Sequence, residues 1–227
     1  MSHTAIIEAE VLLAPDFAAE RREMVEVQLR RRGIRDERVL QAMSAIPREE
    51  FLPVGVRHRA NADEPVDIGS NQTISQPYMT ALMAEVLRLA GDETVLEIGS
   101  GSGYGAAVLG ALARQVITVE LIDELAEFAR QNLARIGADR NVEVVCGDGS
   151  FGYPAAAPYA AISVAAGAPE VPHALFEQLS DPGRLVIPVG ERVDQELRVF
   201  WKRGGRMESR VVTLCRFVPL RGGNGWH

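Results

Sequence analysis

The stretch that most constrains this chain runs Val95-Leu96-Glu97-Ile98-Gly99-Ser100-Gly101-Ser102-Gly103-Tyr104. An apolar run reaches an acid, breaks into alternate glycines, and enters the helix-like Ala106–Leu112. Glycines carry no Cβ, so the backbone there can turn sharply and come close to a bound group. Beyond it a second apolar run, Val116–Val119, delivers Glu120, an acid placed to accept hydrogen bonds from ribose hydroxyls. Strand, glycine turn, helix and a second strand ending in an acid together describe a nucleoside site on a doubly wound sheet.

Two nucleoside cofactors compete for such a site. The dinucleotide fingerprint is G-x-G-x-x-G, whose third glycine lets the helix pack close to its strand. Here the glycines are Gly99, Gly101 and Gly103, and Tyr104 stands where the third should fall. Glu97 would repel a pyrophosphate, whereas it favours the cationic amino acid end of S-adenosylmethionine. The sequence therefore favours S-adenosylmethionine over NAD.

The rest of the chain supplies the scaffold. Helical patterns are expected over Glu20–Arg32, ended by Gly33, and from Asp36 as N-cap through Met43. Residues 47–77, rich in Pro, Gly, Asn and Asp, give no regular pattern. A helix opens at Pro77 or Tyr78 and runs to Leu89. Strands then alternate with helices: Thr94–Ile98, Val116–Val119, Val142–Val145, Ala160–Val164 and Arg184–Pro188, with helices over Gly105–Leu112, Asp123–Ile136 and Pro172–Leu179. Glu196–Phe200 and Val211–Val218, joined around Gly204-Gly205, read as a terminal hairpin. The fold class is α/β: a doubly wound, mostly parallel Rossmann-like sheet with an antiparallel C-terminal hairpin and an N-terminal helical extension. A single domain is expected, with 1–77 as the helical, substrate-side extension and 78–227 as the cofactor-binding core. Residues 1–20 carry no clear period and read as a loosely held extension.

Composition narrows the partners. A net charge of −7 argues against nucleic acid or an anionic membrane. No stretch nears the roughly 18 apolar residues of a membrane span, and the N-terminus lacks a basic, then apolar, leader. A cytoplasmic monomer is the expectation. Cys146 and Cys215 read as reduced, buried strand residues, and His3, His58, His173 and His227 are scattered without metal spacing, so no metal site is expected. Lys202 is the only lysine and stands beside Arg203 and two glycines, poorly placed for Schiff-base chemistry.

Two further clusters carry chemistry. Gly147-Asp148-Gly149 follows the third strand, so Asp148 could accept from an adenine amino group; an ordinary Asp–Gly turn is the plainer alternative. Gln72-Thr73-Ile74-Ser75-Gln76-Pro77 offers several hydrogen-bonding side chains ahead of a helix, which Ser75 or Thr73 could simply cap.

These residues, in this order, resemble the protein-L-isoaspartate O-methyltransferase family over roughly residues 20–220. VLEIGSGSGYGAAVLG at 95–110 is similar to that family's cofactor loop, and QTISQP at 72–77, GDG at 147–149 and RLVIPVG at 184–190 match its segments. So do RGIRDERVL at 32–40, PREEFLP at 47–53, APEVP at 168–172 and FVPL at 217–220. The resemblance implies methylation of the α-carboxylate of L-isoaspartyl residues in damaged proteins and peptides, with S-adenosylmethionine as cofactor and repair through a succinimide. It implies Ser75 as the active-site serine and Gln72, Thr73 and Ile74 beside the substrate, with the strand end Ile187-Pro188-Val189. It implies Glu97, Gly99, Ser100, Gly101, Gly103, Glu120, Leu121, Asp148 and Gly149 around the cofactor.

The implied chemistry suits what the chain lacks. A carboxylate of pKa about 3.5 is ionised at pH 7 and needs no general base. Rate can come from holding its oxygen about 3 Å from the methyl carbon.

Several positions depart from the family pattern: Asn61, Asp67, Asn71, Gly105, Ala160 and Ala165. Those at 61, 67 and 71 cluster in the segment expected to border the substrate. They motivate an alternative, a specialised carboxyl methyltransferase acting on an aspartate of one dedicated peptide or natural product. A silent scaffold on the same fold is a third reading, which the intact motifs oppose.

Overall fold

The computed structural model describes residues 16–226. Most of the 1–20 extension lies outside them. Asp16 already caps the first helix by accepting from the Ala19 amide.

The N-terminal layer holds α1 (Phe17–Met24) and α2 (Glu37–Ala45). The first helix begins three residues before the expected Glu20. It then loosens into a π turn over Val25–Leu29 and a 3₁₀ turn over Arg30–Arg32, ending at left-handed Gly33. Asp36 caps α2 as its sequence position predicts, accepting from the amides of Arg38 and Val39. Such a cap contributes about 1 kcal/mol.

Residues 47–77 are more ordered than their composition suggests. Two 3₁₀ turns (Arg48–Phe51 and Val54–Arg59) precede a short hairpin of β1 (Val66–Gly69) and β2 (Gln72–Ile74). Gly69, Ser70 and Asn71 turn that hairpin with φ of 94°, 52° and 57°. Asn tolerates the left-handed region better than other non-glycine side chains, which explains how Asn71 can hold this turn. Asp67 accepts from the Gly69 amide across the same turn.

The remaining elements are α3 (Pro77–Leu87), β3 (Thr94–Ile98), α4 (Tyr104–Gly110), β4 (Gln115–Glu120), α5 (Asp123–Ile136) and β5 (Val142–Cys146). After them come β6 (Tyr159–Val164), α6 (His173–Gln178), β7 (Leu179–Gly190), β8 (Gln195–Arg203) and β9 (Arg206–Cys215). The main sheet has the order β5-β4-β3-β6-β7-β8-β9, parallel from β5 through β7 and antiparallel beyond. The chain winds outward from β3 to β5, then returns to β6 on the other side of β3. That reversal opens a crevice at the carboxyl ends of the two central strands.

The central strands are buried on both faces, as Val95, Leu96, Ile117, Ile162 and Val164 demonstrate. Tyr104 ties the N-terminal layer to the sheet. Its ring packs edge-on to Phe51, its hydroxyl reaches the Met43 sulfur, and the Arg48 guanidinium lies 5.1 Å from its centroid. Burial pulls the Arg48 pKa down to about 10. Cys146 departs from expectation: it is exposed, because β5 is an edge strand and its last residue has left the core. Cys215 is half-buried. Among the described residues no cluster of His, Cys, Asp or Glu is disposed to hold a metal, and no helix is long and apolar enough to cross a membrane.

Candidate active site

The crevice of about 1060 Å³, including its open mouth, lies at the carboxyl edge of the sheet. Its floor is the turn after β3. Gly99 and Gly101 have φ of 90° and 52°, conformations that a side chain would strain. The Gly101 amide donates to Glu120 Oε2 at 2.8 Å, and Ile122 donates to the other carboxylate oxygen at 3.0 Å. The second acid of the motif thus clips the first glycine loop to the start of α5.

Glu97 lies deeper. Thr118 donates to its Oε2 at 2.6 Å, and Thr118 in turn shares a 2.6 Å hydrogen bond with Ser100. Burial drives the Glu97 pKa up to about 8; the Thr118 bond opposes that rise and the neighbouring Glu120 charge adds to it. A Cβ on Gly105 would collide with Glu97 Oε1. Gly105, a departure in the sequence, therefore leaves the space this carboxylate occupies.

Ser75 and Gln72-Thr73-Ile74 reach the crevice from the hairpin side. The capping alternative is not what the fold adopts: Gln76 is the N-cap of α3, and no side chain bonds there. Glu97, Gly99, Ser100, Gly101, Glu120, Leu121 and Gly149 also line the crevice. At Gly149 a Cβ would sit 2.6 Å from Ile98 Cγ2, so the close approach requires glycine.

Other expected site residues lie elsewhere. Gly103 is not on the crevice wall; its left-handed turn instead lets Ala129 of α5 approach. Ile187 is fully buried in the sheet, and the Pro188 carbonyl accepts from the Ala168 amide. Val189 bridges Ala168, and none of the three faces the crevice. Asp148 stands outside it as well. Its carboxylate accepts from the Ser150 amide and hydroxyl and from the Gly223 amide. Burial opposes that charge, but the bonds from Ser150 and Gly223 outweigh it and hold the carboxyl below its usual range.

Asp148 therefore clasps a C-terminal strap. Asn224 completes the clasp through Ser150, and Trp226 donates to the Gly167 carbonyl at 3.1 Å. The strap carries Val218, Pro219, Leu220 and Arg221 into the crevice wall, a contribution not anticipated from the residues. The signal was present in FVPL, whose order matches the family although its chemistry names no role. Asp148→Ala is expected to free the strap, speeding limited proteolysis within 221–226 and weakening cofactor binding. Unchanged proteolysis would refute the clasp.

The residues fit S-adenosylmethionine better than a dinucleotide. Two carboxylates, Glu97 and Glu120, face the crevice, and Arg221 is its only basic lining residue among the described residues. A pyrophosphate would meet the charge of Glu120 and work against ionisation of Glu97, whereas a sulfonium and an ammonium would favour both carboxylates in their charged form.

Fold and crevice together define a Rossmann-like methyltransferase. A model of the protein-L-isoaspartate(D-aspartate) O-methyltransferase family matches residues 19–225. The chain belongs to that family. It is 52% identical over 207 residues to a protein-L-isoaspartate O-methyltransferase of Methanoregula boonei, covering 91% of this chain and 95% of that one. It is 53% identical over 213 residues to protein-L-isoaspartate O-methyltransferase 2 of Marinobacter nauticus, covering 93% and 97% respectively. A solved protein-L-isoaspartate O-methyltransferase superposes with a TM-score of 0.77 at 34% identity, over 89% of this chain and 66% of that one. A candidate enzyme of the same kind from Plasmodium falciparum, in complex with S-adenosyl-L-homocysteine, also gives 0.77, at 26% identity over 88% and 98%.

Proposed function

We propose that the chain is an S-adenosylmethionine-dependent carboxyl O-methyltransferase acting on the α-carboxylate of L-isoaspartyl residues in damaged proteins and peptides. The observation that carries this reading is the placement of Ser75 on the same crevice as Glu97, Gly101 and Glu120. When bound, S-adenosylmethionine supplies an electrophilic methyl group on a sulfonium sulfur. Glu120 is the acceptor for ribose hydroxyls, the Gly99–Gly101 turn gives close backbone approach, and Glu97 offers negative charge to the cationic end.

No His, Cys or Lys is among the residues lining the crevice. None is required, because the acceptor carboxylate is already ionised at neutral pH. The Ser75 hydroxyl has no hydrogen-bond partner among the described residues and can donate to that carboxylate, fixing its direction of approach. Lacking an activating base, Ser75 is not a nucleophile. Asn61, Asp67 and Asn71 do not line the crevice: Asn61 is buried against α1 through Glu20, and the other two shape the hairpin turn. Their local roles supply no reason to prefer a dedicated substrate. Within this reading, 78–227 form the cofactor core and 1–77 the substrate-side extension.

The test is methyl transfer from labelled S-adenosylmethionine to an isoaspartyl peptide beside its aspartyl twin. Transfer to the isoaspartyl form alone is expected; transfer to neither, with cofactor bound, would overturn the assignment. Ser75→Ala should lower kcat about 10- to 100-fold, the worth of one hydrogen bond to a charged group, with cofactor affinity nearly unchanged. An equal loss of cofactor affinity would remove the serine from the acceptor side.

A further inference from the structure

Toward the β9 edge of the sheet, a hollow of about 670 Å³, including its open mouth, is walled by Arg88, Arg184, Arg203 and Arg210 around Trp201. Strand register explains the grouping. Arg184, Trp201 and Glu208 face one another across β7, β8 and β9, and Val186, Val199 and Arg210 form the next row. Residues paired in this way share one face of a sheet. Arg88, the left-handed C-cap of α3, enters from the helix layer. Arg184 pairs with Ala161 on β6, two residues before Ser163, where the crevice begins on that strand, and the two sites share no residue.

What sets these arginines apart is their grouping in one hollow, since others, Arg22 and Arg140 among them, also lack a side-chain ion pair or hydrogen bond among the described residues. Arg21, Arg30, Arg32, Arg57 and Arg59 each sit against a carboxylate. By contrast, Arg88, Arg184, Arg203 and Arg210 have no ion pair or hydrogen bond among the described residues, although acids outnumber bases in the chain. Glu208 is the one acid on the wall. Arg203 also faces Arg206 directly across the β8–β9 pair, an arrangement that costs stability when both are charged. Burial first, then repulsion from Arg88, Arg203 and Arg210, holds Arg184 below the usual guanidinium range. Trp201 is half-buried, and no cation or aromatic ring covers its face among the described residues.

We propose that this hollow is a binding site for a multiply charged phosphate anion, the guanidiniums of Arg88, Arg184, Arg203 and Arg210 taking the phosphate oxygens beside Trp201. Guanidinium forks match phosphate oxygens two at a time, and four of them around one concavity suit a ligand with several phosphates better than a single small anion. An attached aromatic base would find the open face of Trp201. The proposal does not depend on the methyltransferase reading.

The probes are inorganic tripolyphosphate and ATP, titrated calorimetrically into the full chain saturated with S-adenosylhomocysteine, which keeps adenine out of the crevice. One-to-one binding of tripolyphosphate is expected, weakened at least tenfold in Arg184→Gln/Arg210→Gln and in Arg88→Gln/Arg203→Gln. Arg88 and Arg203 are both exposed, so the second pair tests the site even if the first disturbs folding. Arg140→Gln, an exposed arginine elsewhere, should bind as the unaltered chain does. Equal affinity for both probes would assign the site to phosphates alone. Tighter ATP binding with a Trp201 fluorescence change, read in a Trp226→Phe background, would add base stacking. No saturable binding, or equal losses in Arg140→Gln and the hollow variants, would overturn the site.

Discussion

Glu120→Ala is expected to weaken S-adenosylmethionine binding by two to three orders of magnitude. Its two oxygens already accept from Gly101 and Ile122 and keep further lone pairs toward the crevice. A carboxylate taking two ribose hydroxyls contributes about 3 to 4 kcal/mol through charge-assisted bonds, which converts to that range in Kd. The substitution also leaves the Gly101 amide without its acceptor, so the glycine turn loosens with the loss of the ribose contact. Calorimetry with S-adenosylhomocysteine, paired with a melting curve to confirm folding, measures it. A Kd within threefold of the unaltered chain would show that Glu120 serves the loop and not the ligand.

The second large effect is a pH dependence centred on Glu97. With its pKa raised to about 8 by burial, Glu97 is protonated in the free protein at neutral pH. A cation beside it favours the carboxylate, so cofactor binding at about pH 7 and below should release close to one proton, falling to about half at pH 8. Affinity should then climb up to about tenfold per pH unit from 6 to 8 and level off above. Stability of the free protein runs the other way. Between the unfolded carboxyl's pKa near 4.5 and about 8, the native state holds a proton that the unfolded chain has lost, so stability falls as pH rises through that window. The slope is about 1.4 kcal/mol per pH unit, fully expressed by pH 8. Glu97→Gln, neutral at every pH, should abolish both slopes, leaving the free protein more stable than its parent at pH 8 and binding cofactor more weakly there. Titrations at pH 6.5 in buffers of different ionisation enthalpy count the protons. A count of zero would place the cation away from Glu97.

Much of this architecture could be read from the residues because local and global signals agreed. Glu97, the alternating glycines and Glu120 had to fall at adjacent strand ends, since parallel strands in register bring those ends together. The β1–β2 hairpin leaves little trace in the sequence because its strands are only four and three residues long and its turn sets Ser70 and Asn71, not a second glycine, after Gly69. Asp148 shows a different limit. Its place after β5 is legible in the sequence, but its side-chain partner, Gly223, lies 75 residues away, and no periodicity reports such a pairing. Arg88, Arg184, Arg203 and Arg210 were likewise invisible as a group until strand register gathered them.

The clasp has a chemical consequence of its own. It is built from Asp148-Gly149 and Asn224-Gly225, and in each pair the following residue is a glycine, whose bare amide meets little steric resistance when it attacks the preceding side-chain carbonyl. That attack gives the succinimide from which isoaspartate forms. The wall of the cofactor crevice is thus fastened by the two kinds of linkage that age into the lesion this protein is proposed to mend. Isomerisation at Asp148 or Asn224 would move a side-chain methylene into the backbone and so lengthen one limb of the fastening.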